Sequence, residues 1–285
     1  MSQRLAMVAL GVVIAVGGGF AQPPAADPTL RYKWQAGQSL TYKIVQQTVV
    51  QETSLDEKTQ KPVTSESQTN LTLTRNWVVK GLDSAGVATL EMRIIAIRNE
   101  IRQADGNTVV RDSSVPDDAK EMAAYLNTPV VVVRVDAQGR LVEVKETKQG
   151  SAARLHAELP FRLTLPDVGP SVGQVWDRTF ALKIDPPQGA GESYDYAQKY
   201  TCKGVKDGLA VVGVETTLKA PPKSTGEQVP LVPMLWTGDV YFNIGAGKYH
   251  AARLAAKAEL LNHLGEGSKF VYQSRYSEDA IAGGQ

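Results

Sequence analysis

The amino-acid sequence predicts a mainly β fold: a long-stranded, strongly curved antiparallel sheet, an open or half barrel, with one or two short helices and two pseudo-repeated halves. Three observations lead there. Apolar and polar residues alternate over stretches such as 38–52 and 67–81, far beyond the usual ~5–6 residues of a strand. Short polar clusters separate these stretches, and short loops between long strands join antiparallel neighbours. Strands of that length twist and coil, so a sheet made of them bends and acquires a concave face.

Leu40, Tyr42 and Ile44 share one face of the first strand, with Thr41 and Lys43 on the other. Leu71 and Leu73 alternate with Thr72 and Thr74 and lead into Trp77-Val78-Val79; Leu90, Met92 and Ile94 alternate with Thr89, Glu91 and Arg93. Asp83-Ser84-Ala85-Gly86 and Asp105-Gly106-Asn107 are turn clusters, because Gly, Asp and Asn tolerate the positive φ of tight hairpins. Ser114-Val115-Pro116-Asp117-Asp118 reads as a helix start, with a hydroxyl cap, Pro in the first turn and two carboxylates at the positive end of the dipole. Met122, Tyr125 and Leu126 would share its face, and Pro129 would end it.

A hairpin follows at 130–135 and 140–145, turning at Asp136-Ala137-Gln138-Gly139. A second short helix at 151–159 stops at Pro160, with Ala152, Leu155 and Leu159 as its buried stripe. Strands resume at 176–184, 194–205, 209–218, 236–244 and 268–276, broken by Asp185-Pro186-Pro187 and Ala220-Pro221-Pro222. Residues 248–264 carry two signals. Their Ala content, with Gly265 as a C-cap, favours a helix, whereas Ala252, Leu254, Ala256, Ala258 and Leu260 alternate strictly with Arg253, Ala255, Lys257 and Glu259. The strand is chosen because the halves rhyme: Gly37-Gln38 recurs as Gly173-Gln174, 77–81 as 200–204, and Gly139-Arg140 as Gly247-Lys248. The expected organisation is a signal peptide at 1–21, a Pro-rich leader at 22–29 and one β-rich domain at 30–285, with pseudo-repeats at 30–150 and 161–280.

The 285 residues carry 31 Lys plus Arg against 30 Asp plus Glu, a formal net charge of +1, which supplies no field to draw in nucleic acid or an anionic membrane surface. A hydrophobic content of 42% with so little net charge also excludes intrinsic disorder. Arg4, the apolar run 5–16 and Gly19-Phe20-Ala21 form the three parts of a secretion signal. The run is shorter than the ~18 apolar residues of a spanning helix, which favours a cleaved signal over a retained anchor. Cleavage after Ala21 would leave equal numbers of acidic and basic side chains in a periplasmic or extracellular protein, not an integral membrane one. Cys202 stands alone, so no internal disulfide forms, and its place in a strand marks it as a structural cysteine.

Motifs for chemistry fail one by one. Gly245-Ala246-Gly247-Lys248 has Phe242 and Tyr249 where a phosphate loop needs Gly and Ser or Thr. His156, His250 and His263 show no metal-ligand spacing, the turn at 136–139 lacks a calcium loop's carboxylates, and no Gly-x-Ser-x-Gly elbow occurs. The chain is therefore read as non-catalytic, without cofactor or metal. Aromatics on or beside strands, among them Trp34, Tyr42, Trp77, Trp176, Tyr200, Trp236, Tyr249 and Tyr276, would either line an apolar groove or simply fill the core.

The pattern Leu-Arg-Tyr-Lys-Trp-x-x-Gly-Gln-x-x-x-Tyr at 30–42, with Trp-x-Gly-Asp-Val-Tyr-Phe-Asn at 236–243, resembles a family of secreted bacterial proteins of unknown function. More distantly, the architecture is similar to the half-barrels of periplasmic lipoprotein carriers. The resemblance implies fold and an envelope location, and no residue role. Two functions follow: a protein holding a hydrophobic ligand, a lipid or a lipidated partner in its concave sheet, or a structural module contacting another envelope protein.

Overall fold

The structure, a computed structural model, describes residues 30–148, 150–186, 189 and 191–281. The expected signal segment and leader lie outside the described residues. In chain order the elements are β1 Ser39–Leu55, β2 Pro62–Leu82, β3 Ala88–Arg102, β4 Thr108–Asp112, α1 Pro116–Glu121, β5 Pro129–Val135, β6 Leu141–Thr147 and α2 Ala152–Glu158. Then come β7 Val175–Ile184, β8 Glu192–Lys206, β9 Leu209–Leu218, α3 Thr225–Gln228, a 3₁₀ segment Val229–Met234, β10 Thr237–Asn243, β11 Lys248–Leu261 and β12 Lys269–Ile281.

The strands form one antiparallel sheet in the order β6-β5-β3-β2-β1-β12-β11-β10-β9-β8-β7, with β4 paired to β3 beside that row. β5 takes the Ala88–Arg93 half of β3, and β4 the Arg98–Arg102 half. The sheet is open, with β6 and β7 as its outer strands. Laid flat, eleven strands in a row would set β6 and β7 on the order of 48 Å apart. Yet α2, about 10 Å long by its seven residues, touches both. The sheet is therefore rolled, and α2 with the segment after it fills the gap.

The concave face carries the residues that alternation assigned to it. Leu40, Tyr42 and Ile44 on β1, Trp77 and Val79 on β2, Leu90 and Ile94 on β3, and Tyr272 and Tyr276 on β12 are all buried. Each such side chain contributes roughly 1.5–3 kcal/mol relative to exposure. At the hub is Phe161, whose ring lies 5.6–5.9 Å from those of Tyr32, Trp34, Tyr42, Trp77 and Tyr249. Two extended segments cross the face here and dock on hairpin turns. Tyr32 N–H donates to Ala137 O at 2.8 Å, Lys33 N–H to Gly247 O at 2.9 Å, and Leu165 N–H to Gln138 O at 2.7 Å. Gly139, at φ +79°, is needed at this crossing, since a Cβ there would strike the Tyr32 ring and Leu163 O.

Residues 248–264 are resolved in favour of the strand, since β11 runs through Leu261. Other expectations are corrected. α1 ends at Glu121 with Met122 already its C-cap, and Val115 rather than Ser114 is its N-cap; the Ser114 hydroxyl is held 2.7 Å from Asp112 Oδ1 instead. In α2, Ser151 caps Arg154 N–H as its sequence position implies, but Ala152 is exposed and Ala157 takes the buried place. Seven residues make barely two turns, too short for the stripe to be fixed by spacing alone.

The same hydrogen bonds open β1 and β7. Gly37 N–H reaches Val79 O at 2.8 Å and Val79 N–H reaches Gln38 O at 2.9 Å; Gly173 N–H reaches Cys202 O at 2.7 Å and Cys202 N–H reaches Gln174 O at 2.9 Å. A register shift follows in each partner strand, at Val79/Gly81 and at Cys202/Gly204.

Candidate functional site

Most of the aromatics singled out from sequence are core. Trp34, Tyr42, Trp77, Tyr200, Trp236, Tyr249 and Tyr276 are all buried, and Tyr32 with Trp34, like Trp176 with Tyr200, stacks ring on ring. Cys202 is buried on β8 opposite Val212. His156 and His250 are exposed, His263 is buried beside Glu52 at 3.1 Å, and among the described residues no group of three metal-ligating side chains gathers.

The site that sequence reading missed lies on the concave face where the long strands run past the hub. Over β11 and β12 this face is covered by α3 and the 3₁₀ segment, which buries Phe270 and Tyr272. Over β1, β2 and β3 the cover stops, leaving Val50, Leu71, Leu73 and Ile97 half-buried. Between the two is a cavity of about 260 Å³, walled by Ile44, Leu71, Leu73, Pro233, Met234 and Trp236. A groove of about 490 Å³ adjoins it across Arg154, Pro233 and Met234, lined further by Leu182, Ile184 and Pro230.

One end of the cavity is charged, with Arg75, Arg154, Glu158, Arg162 and Tyr276 in its wall. Beneath them Glu278, wholly buried, accepts hydrogen bonds from Arg75 Nε at 3.0 Å and Nη2 at 2.6 Å, Tyr249 Oη at 2.7 Å and Tyr276 Oη at 2.7 Å. Arg75 also donates to Pro160 O at 2.9 Å, tying the plug segment to the sheet. Burial works against the Arg75 charge, and the adjacent Glu278 carboxylate reverses this, so its pKa moves up. Burial, and after it Glu278, pushes the Tyr249 and Tyr276 phenols up as well. Arg162, in left-handed backbone at φ 52°, holds its guanidinium 4.2 Å from the Tyr276 ring centroid and 5.8 Å from that of Trp236. Its Nε is buried without a hydrogen-bond partner among the described residues.

Two larger clefts are weaker candidates. One of about 570 Å³ lies between β6 and β7, but its polar groups already serve one another: Arg140 pairs with Asp167 at 2.8 Å, and Arg178 donates to His156 O, at the end of α2, at 2.8 Å and to Gln198 at 2.8 Å. The other, about 620 Å³ around Gly238, is an open depression on the outer face.

A signal for part of this site was present in the alternation. Arg75 shares the inward parity of Leu73 and Trp77, and Glu278 that of Tyr272 and Tyr276, so two opposite charges stood on an apolar face. Arg162 sits in an irregular segment, where no period points to it.

Comparison with protein-family models and with curated proteins returned no match. Among solved structures, one of lipovitellin and its lipid–protein interactions is similar with a TM-score of 0.48 and 13% identity, covering 89% of this chain and 26% of that one. The chain thus spans about a quarter of the lipovitellin chain. DynF from the dynemicin biosynthesis pathway of Micromonospora chersina has a TM-score of 0.20 at 7% identity, covering 96% and 94%. The Salmonella type III secretion secretin InvG has 0.15 at 11%, covering 87% and 61%. All three scores fall below 0.5, and the fold assignment rests on the sheet itself. Tyr32 packs edge-on against Phe242 with centroids 5.1 Å apart.

Proposed function

We propose that the protein is an exported, non-catalytic component of the bacterial envelope that holds an apolar ligand against its concave sheet. The observation that carries this is the cavity over Ile44, Leu71 and Leu73 with its adjoining groove, which together fall within the ~300–1,000 Å³ of ligand pockets. The rest of the concave face is packed with the protein's own aromatics, so an unfilled apolar stretch beside the plug stands out against it. Export is supported by the apolar segment near Arg4 and the small residues that follow it.

The test is native mass spectrometry, with extraction of bound lipid, on protein purified from the periplasm. A stoichiometric apolar molecule is expected, and the Leu73→Trp variant, which fills the cavity, should lose it. A clean mass without ligand, together with no uptake of a fluorescent alkyl probe, would overturn the reading. It would favour instead an interaction module that uses the outer edges of β6 and β7, each paired on one side only.

A further inference from the structure

Three guanidinium groups, Arg75, Arg154 and Arg162, line the cavity together with Glu158, and a second carboxylate, Glu278, is buried behind Arg75. Two pairs account for four of these groups. Arg75 binds Glu278 directly at 2.6 Å, and Arg154 Nε binds Glu158 at 3.0 Å. Arg162 is left over. It has a hydrogen bond with the Tyr276 hydroxyl, two aromatic faces and the more distant field of Glu158 and Glu278, but no carboxylate of its own, and its charge works against that of Arg75. Its guanidinium lines the cavity with no carboxylate in ion-pair contact among the described residues, and an oxyanion bound there would supply one. The polar end lies beside Ile44, Leu71, Leu73 and Trp236, so one molecule can satisfy both at once.

We propose that Arg162 forms the anion-binding end of this cavity, and that the ligand is an amphiphile with one oxyanion head, carboxylate or phosphate, on an alkyl chain. This rests on the ligand-binding reading above and adds the chemistry of the head. The head would lie against Arg162, with Arg154 at the mouth, and the chain would run over Leu71 and Leu73 towards Met234. Three guanidinium groups against two carboxylates leave one positive charge, which a carboxylate or a singly ionised phosphate head neutralises.

The experiment titrates the intact protein with dodecanoate, dodecyl phosphate and the uncharged dodecanol, read by calorimetry and by tryptophan fluorescence, to which Trp236 in the cavity wall contributes. Dodecanoate or dodecyl phosphate should bind at least about tenfold more tightly than dodecanol, as a charge-assisted hydrogen bond implies. Arg162→Met should bring the anions down to the alcohol's affinity while leaving the alcohol unchanged. Arg162→Lys, which keeps the charge, should retain part of the preference; unchanged urea midpoints show that both variants fold. The stronger of the two anions names the head. If all three chains bind equally to the unaltered protein, or if Arg162→Met keeps the preference, the headgroup proposal fails while the apolar-ligand reading stands. If none binds, the apolar-ligand reading fails with it.

Discussion

Replacing Glu278 by Gln tests the buried charge network most directly. The carboxylate is fully buried and accepts from Arg75 on one oxygen and from Tyr249 and Tyr276 on the other, so Gln keeps an oxygen for the two phenols but sets its NH2 against Arg75, removing both the charge and the acceptor that Arg75 uses. Breaking a buried ion pair from one side costs about 3–5 kcal/mol, because the remaining charge is stranded. Arg75 retains its bond to Pro160 O and 14% of its side-chain exposure, which puts the expected loss at the lower end, ~3 kcal/mol. Glu278→Leu also strands both phenol hydroxyls, each costing ~1–3 kcal/mol, and should lose ~5 kcal/mol or more. The double variant Arg75→Met with Glu278→Leu carries no stranded charge and should be more stable than Glu278→Leu alone. Urea unfolding supplies the assay, with the midpoint shifting at constant slope. A loss below about 1 kcal/mol for Glu278→Gln, or a double variant less stable than both singles, would refute the account of the network as a charge-paired unit.

Two further outcomes follow from the geometry. The Asp112 carboxyl is held down to about 2 by the Ser114 hydroxyl and N–H and then by Arg98, against an ordinary value of 3.8. Its folded value lies below its unfolded one, so its contribution is complete above the unfolded value and is lost as pH falls from 3.8 towards 2. Asp112→Asn should therefore flatten the pH dependence of the urea midpoint in that window, and an unchanged slope would count against the bonds described. Gly238 sits on β10 at φ +145°, where a Cβ would collide with Arg253 O and Leu254 Cα on β11. Gly238→Ala should lower stability by more than about 1 kcal/mol, and a thermal midpoint equal to the parent's would show that the two strands can separate there at no cost.

The strands were legible because alternation is a local signal: a side chain's face depends only on its parity, and the ladders around Tyr42, Trp77 and Leu90 follow it. β4 escaped because Thr108–Val110 are exposed and show no buried face to read. The 3₁₀ segment escaped because Pro230 and Pro233 punctuate it, and a Pro-rich turn buries Leu231 and Met234 without a helical or strand period. At the candidate site, Arg75 was readable as an inward charge, whereas Glu278 lies two residues past the strand read at 268–276, and their meeting depends on β2 and β12 flanking β1, a pairing no local window contains. Arg162 was beyond reach for a different reason. Its position is set by how the segment around Phe161 is wedged into the concave face, which is a property of packing rather than of periodicity.

The placement of β12 between β1 and β11 bears on how the chain acquires its structure. Partners such as Thr41 and Ile281 stand at opposite ends of the described chain, yet they lie in the middle of the sheet. Each half can zip up by neighbouring hairpins, whereas the seam joining them waits until β12, the last strand of the described residues, is available. Until then β1 presents a long free edge, Ser39–Leu55, with the Tyr42 side of the core uncovered. The seam, which joins residues far apart in the chain, should therefore be the slow step of folding. The thirteen residues of β12 are thus the segment whose loss would part the molecule into two incomplete sheets.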